Sequence, residues 1–242
     1  MVKPTTFRIL VLLLIITELT ASCNSIRESS KFGFREGYYK SRIYHKKLKS
    51  IYVIPADDSI KVYTVKGLKK VTDTLAPIKI AFPLTRPPGN YDSYIFRQNS
   101  FDVDVLSILF KYRPGIKGFP NQLNTSILNG AVYVGYRSDL YKLHYRKNPV
   151  KGFTREVSHV GFSFGAFTGI GASRIDEFVT QNGINIQYDG VVNPSGIAAI
   201  IALNKLSFGL MLGEDHLLDK NRQYWIYEGK PWVGLSVGLN LN

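Results

Sequence analysis

Three clusters of side chains in this sequence have the types and spacing of known chemistry. Ser158 and His159 are adjacent, with Glu156 two positions earlier, which are the residue types of a serine hydrolase. Residues Gly161-Phe162-Ser163-Phe164-Gly165 fit the G-x-S-x-G pattern of a nucleophile elbow. Asp215 and His216, with Glu214 and Asp219 nearby, could hold a cation weakly. Context weakens all three. Adjacent residues on a strand point to opposite faces, so Ser158 and His159 cannot pair directly. Ser163 lies within continuous alternation and not at a strand-to-helix turn. The acidic cluster reads as a solvated loop. No metal-ligand spacing and no nucleotide loop is present, so the sequence predicts no enzyme, no metal site and no cofactor.

The elements that must carry these residues are strands. Residues 206–213 alternate Leu206, Phe208, Leu210 and Leu212 with Ser207, Gly209, Met211 and Gly213. Residues 232–241 alternate Val233, Leu235, Val237, Leu239 and Leu241 with Gly234, Ser236, Gly238 and Asn240. Period two means strand, and the two faces differ in kind: one is large and apolar, the other mostly small. A soluble half-buried strand shows water Lys, Glu and Thr, whereas a membrane barrel strand shows lipid its apolar face and turns small or polar residues inward. Residues 159–171 repeat the pattern, with Phe162 and Phe164 on the large face and glycines opposite. The lipid-facing set is therefore Phe162, Phe164, Phe208, Leu210, Leu212, Leu235, Val237 and Leu239. Asp102 and Asp104 would pair with Arg137 and Lys142 inside, because unpaired charges there cost several kcal/mol.

Residues 1–23 look like an export signal, with Lys3 and Arg8 ahead of the apolar run 9–16. That run is too short to remain as a spanning helix. Leu19-Thr20-Ala21-Ser22-Cys23 resembles the lipobox of bacterial lipoproteins, which implies lipidation at Cys23, the only cysteine. The formal net charge is +13, and residues 24–100 hold fifteen basic against six acidic side chains. Such an excess suits anionic headgroups or an acidic envelope partner, while an export signal argues against nucleic acid.

Taken in order, residues 24–99 read as a basic extension. Its 24–49 part is a tether with Arg42, His45, Lys46, Lys47 and Lys49, residues 50–65 give a hairpin signal, and prolines 77, 83, 87 and 88 mark a linker. Residues 100–242 hold the main domain. Its strands are predicted at 101–112, 128–136, 140–147, 158–171, 184–191, 197–203, 206–213 and 231–241, with a parity switch near Leu106 that implies a bulge or an earlier strand end. Turns are expected at 137–139, where a single long strand continuing through is the alternative, at 193–196 and at 204–205, the last of a two-residue type that hairpins prefer. Tyr224, Trp225, Tyr227 and Trp232 cluster where the last strand begins and are expected at the headgroup level.

In pattern, residues 101–242 resemble the small eight-stranded outer-membrane barrel proteins. That resemblance implies an all-β, antiparallel, up-and-down transmembrane barrel of about eight strands, closed and without an open pore. It places the protein in the cell outer membrane among its lipids, with residues 114–126, 148–156, 193–195 and 214–230 outside, residues 172–183 as a long periplasmic turn, and the extension in the periplasm. The expected role is structural, or binding of an envelope protein or anionic surface ligand. Two other readings remain open: a hydrolase of lipid A using Ser158 and His159, which resembles barrel enzymes that trim that lipid, and a soluble periplasmic lipoprotein with a lipocalin-like barrel.

Overall fold

The computed structural model describes residues 34–43, 48–56, 59–66, 70–71, 77–81, 94–116, 118–125, 129–147, 149–150, 153–203 and 206–239. The expected signal segment, Cys23 and most of the proline-rich linker lie outside them. Among the described residues, twelve strands form one antiparallel sheet. They are β1 (Gly37–Ser41), β2 (Lys49–Pro55), β3 (Ser59–Lys66), β4 (Lys70–Val71), β5 (Ile78–Ala81), β6 (Tyr94–Arg113), β7 (Gln122–Asn124), β8 (Gly130–Lys147), β9 (Phe153–Ile175), β10 (Tyr188–Leu203), β11 (Leu206–Leu217) and β12 (Pro231–Leu239).

Six of the long strands close on themselves. Each of β6, β8, β9, β10, β11 and β12 pairs with the next, and β12 returns to β6 through Val233↔Tyr112 to Val237↔Ser107. The ring has six strands where eight were expected, because two predicted turns lie inside strands. Residues 137–139 run straight through β8, paired on both sides. Residues 193–196 run through β10, where Pro194 has no N–H for the ladder. The Asn193 side chain donates to the Gly169 carbonyl at 2.6 Å and supplies a donor at that gap. The bulge in β6 falls at Leu109 and not at Leu106, since the partners of Leu235 and Ser236 jump from Phe110 to Ile108. Lys111 and Arg113 consequently turn inward.

Long and short connections separate cleanly. The connections from β6 to β8, β9 to β10 and β11 to β12 lie at one end of the ring, and those from β8 to β9 and β10 to β11 at the other. Residues 176–187 therefore belong with the long loops and not with the short turns, and 148–152 does the reverse, which corrects the expected sidedness. The expected tether also changes: β1 lies within residues 24–49 and pairs with β6 at Ser41↔Phe96. From there β1, β2, β3 and β5 extend the sheet at the short-turn end, with β2 and β3 forming a hairpin.

Along β9 the inward side chains pass through five layers. Val157 packs on a lower apolar cluster that includes Tyr39, Ile51, Val62, Phe96 and Tyr141. His159 and Ser163 enter a polar layer, Phe167 a middle cluster with Tyr133, Met211 and Trp232, Ser173 a second ionic layer, and Ile175 an upper cluster with Trp225 and Tyr227. The ring interior is filled. Glycine is needed where β8 and β9 approach most closely: a Cβ on Gly165 would fall on the Val134 carbonyl.

Candidate functional site

The sequence-predicted hydrolase residues are not assembled. His159 is inward and 9% exposed, with Nε2 bonded to Asp139 Oδ1 at 2.5 Å and its ring stacked on Tyr141. Ser158 takes the opposite parity, and Glu156 lies on the outer side against His144 at 3.4 Å. Ser163 is buried in mid-strand and shares a hydrogen bond with the Tyr133 hydroxyl at 2.7 Å. It stands four residues beyond His159, about 13 Å along a strand, so neither Ser158 nor Ser163 is placed for the Asp139–His159 pair to activate.

What these residues build instead is a lower ionic layer. Arg137 Nε donates to Asp139 Oδ1 at 2.9 Å, and Arg137 Nη1 lies 3.9 Å from Asp102 Oδ1. All three are buried. Gly161 makes room for them, since a Cβ there would meet Asp139 Oδ1 at 2.6 Å and Arg137 Nη2 at 2.9 Å. The expected pairing of Asp102 with Arg137 is present. Asp104 is only half-buried, and Lys142 points outward from β8, so the latter does not join.

The upper ionic layer was not predicted. Asp215 receives Lys111 Nζ at 2.8 Å on one oxygen and Arg113 Nη2 at 2.6 Å on the other, with all three side chains essentially inaccessible. Arg113 Nη1 also donates to Gln122 Oε1 at 2.9 Å. Aromatic faces complete the enclosure: Lys111 lies 5.0 Å from the Trp232 ring, and Arg113 lies 5.2 Å from Trp225 and 5.0 Å from Tyr227. The signal for this layer was the alternation of Lys111 and Arg113 with Phe110 and Tyr112. It was masked by the misplaced bulge.

These rings correct the expected headgroup-level belt. Trp225, Tyr227 and Trp232 are buried, and Tyr224 alone is exposed. The reason is electrostatic: two desolvated cations in the interior need π faces as well as one carboxylate. Above the ring, in the 218–230 loop, burial raises the Tyr227 hydroxyl pKa. Asp215 is not part of a loop cation site, since its carboxylate is already held by protein cations. His216 lies beyond it at the long-loop end, with Nδ1 2.9 Å from Glu228 Oε1 and Nε2 3.3 Å from Glu214 Oε1. The Glu228 hydrogen bond, more than any other influence, raises the His216 pKa. No group of three or more metal-ligating side chains occurs among the described residues.

Outside, Phe162, Phe164, Phe208, Leu210, Leu212 and Leu235 are each between 42% and 57% exposed, and Val237 is half-exposed. The Leu239 side chain lies outside what is described. Phe101, Val103, Val105, Val132, Val134, Ile197 and Ile201 join them in one apolar outer surface. The outer face of β1, β2, β3 and β5 is different in kind, with Tyr38, Lys40, Tyr52, Lys61, Tyr63 and Lys79. There most of the apolar side chains turn inward, Ile54 and Val65 excepted: Tyr39 is buried and donates to the Arg35 carbonyl at 2.9 Å, and burial pushes its pKa up to about 12. No helix among the described residues is long and apolar enough to cross a membrane, which says nothing of strands. No family model, curated protein or solved structure matches the chain.

Proposed function

We propose that this chain is an integral outer-membrane protein in which the six-stranded ring is a transmembrane barrel. In this reading the long loops face outward, β1 to β5 lie in the periplasm, and the packed interior serves as a plug and not a pore. The role is structural, or binding through the outer loops or the basic periplasmic strands. One observation carries it. Within a single continuous sheet, the outer face is mainly Val, Leu, Ile and Phe around the ring and mainly Lys, Tyr and Ser, with Ile54 and Val65, on the strands below it. An apolar outer surface that runs around all six strands of the ring calls for lipid or another protein against it. The filled, charge-paired interior makes a second hydrophobic core unnecessary.

Two further features support lipid. Separation of long loops from short turns is the habit of outer-membrane barrels. The outward apolar run of β9, from Val160 to Ala172, exceeds the roughly 9–11 residues that a tilted strand needs, while that of β11, Leu206 to Leu212, falls somewhat short. Six strands is also below the usual minimum of about eight. A lipid A hydrolase gains no support, since Ser158 and His159 point to opposite faces. A lipocalin-like carrier gains none either, because Trp232, Phe167, Tyr133 and Arg137 fill the space that a ligand would need.

The test is fractionation of cells carrying the full chain and the Cys23→Ala variant, with alkaline extraction, then gel migration with and without boiling. Both proteins are expected to stay in the membrane pellet and to shift on heating. Release of Cys23→Ala into the soluble fraction would overturn the reading in favour of a tethered soluble protein.

A further inference from the structure

At the lower edge of the apolar surface the outer face opens into a cavity of about 620 Å³. Arg42 and Leu48, from the β1–β2 connection, line it together with Tyr94, Ile95 and Arg97 of β6 and Leu140 of β8. Its position relative to the belt is fixed by register. Leu140 is the Cα partner of Arg97 on one side and of Val160, where the apolar run of β9 begins, on the other. Apolar wall and cationic wall therefore meet within one strand pair.

The charges around this cavity are arranged at a cost. Lys40 is directly opposite Arg97, and Lys142 is opposite Ile95 one step away. Like charges facing each other across a ladder destabilise it. Lys40, Arg42, Arg97 and Lys142 are all exposed, and none of the four pairs with a carboxylate among the described residues. Arg97 is nevertheless oriented, because its Nε donates to Ser138 Oγ at 2.9 Å. An anion between these cations would turn repulsion into attraction, and a guanidinium suits a phosphate best because it can bind it through two parallel N–H groups.

We infer that this cavity binds an anionic phospholipid. The phosphate lies between Arg42 and Arg97, and an acyl chain runs over Leu48, Ile95 and Leu140 toward the belt. The inference rests on the transmembrane reading above, because only then do headgroups stand at this height. The site would fix the depth of the barrel by gripping the periplasmic leaflet.

The full chain in nanodiscs of mixed phosphatidylglycerol and phosphatidylcholine tests it, with retained lipid measured after detergent exchange. Wild type is expected to retain phosphatidylglycerol selectively. Each arginine contributes about fivefold to anionic lipid binding, so Arg42→Gln/Arg97→Gln should lower that retention about twenty-five-fold. Arg97→Lys, which keeps the charge but loses the two-pronged contact and the Ser138 bond, should fall between wild type and the double variant, and glycerol phosphate, the headgroup without chains, should not compete. Equal retention of both lipids, an unaffected double variant, or competition by glycerol phosphate as strong as by the lipid would overturn the site. Heat-shifted migration reports insertion separately. Protein that inserts without preference defeats this inference alone, and protein that never inserts defeats the membrane reading with it.

Discussion

Replacing Asp215 with asparagine should destabilise the ring by several kcal/mol, because it empties the centre of the upper ionic layer. The Asp215 carboxylate is fully buried between Lys111 Nζ at 2.8 Å and Arg113 Nη2 at 2.6 Å. Removing one partner from a buried ion pair costs about 3–5 kcal/mol, because the remaining charge keeps its desolvation penalty without its attraction. Two cations are stranded here, and the guanidinium cannot shed its proton. The rings of Trp232, Trp225 and Tyr227 stay in contact and hold about 1 kcal/mol each, but they do so before and after the change and do not alter the difference. Asparagine still accepts a hydrogen bond, which favours the lower end, about 3 kcal/mol. Urea unfolding of protein folded into vesicles, followed by tryptophan emission, reads the site directly, since Trp225 and Trp232 both lie against the cations. Adding Lys111→Met to Asp215→Asn should recover at least about 1 kcal/mol, because one stranded charge is gone. A single variant within about 1 kcal/mol of wild type, or a double variant no better than the single, would refute the claim that this layer is held by charge.

Other outcomes follow from the same geometry. Leu210→Arg, at an outward position 57% exposed, should cost about 2–4 kcal/mol in a bilayer, whereas Leu218→Arg, on the long-loop side and 59% exposed, should be nearly neutral by the same unfolding assay. Gly165→Ala should cost about 1–3 kcal/mol, since the new methyl meets the Val134 carbonyl and backbone cannot yield as a side chain can. His216, beyond the apolar belt, has its pKa raised by Glu228 and Glu214, so its stabilising effect is complete below the unfolded value near 6.5 and is lost as pH rises through the folded one. Proteolytic nicking within residues 218–230 should therefore increase from pH 6 to pH 8 in wild type, and His216→Gln should flatten that dependence.

Legibility followed the period of the side chains and failed where local turn chemistry competed with a long ladder. The two faces of β11 and β12 were readable because Leu206 to Leu212 and Val233 to Val237 alternate without interruption. Arg137-Ser138-Asp139 and Asn193-Pro194-Ser195 look like turns in isolation, yet both are continuous strand. In the first, Arg137 and Asp139 point the same way and bind each other. In the second, the Asn193 amide fills the place of a missing N–H. Sequence signals of this kind are local, and the ladder partners that override them, Ser100 and Ser163 for Arg137 and His216 for Asn193, stand twenty or more residues away. Strand β1 was missed because only Tyr39 is large and inward among Gly37, Tyr39 and Ser41. The fate of Trp225, Tyr227 and Trp232 could not be foreseen without knowing that a bulge at Leu109 turns Lys111 and Arg113 inside.

The solvent of the outer face can be measured directly by placing single cysteines on it. In a Cys23→Ala background folded into vesicles, Phe208→Cys and Leu235→Cys should resist a charged maleimide present on both sides of the bilayer until the protein is denatured. Leu218→Cys, in the 218–230 loop, should label at once. Labelling of positions 208 and 235 at the rate of position 218 would mean that water bathes the belt, and would contradict the membrane assignment.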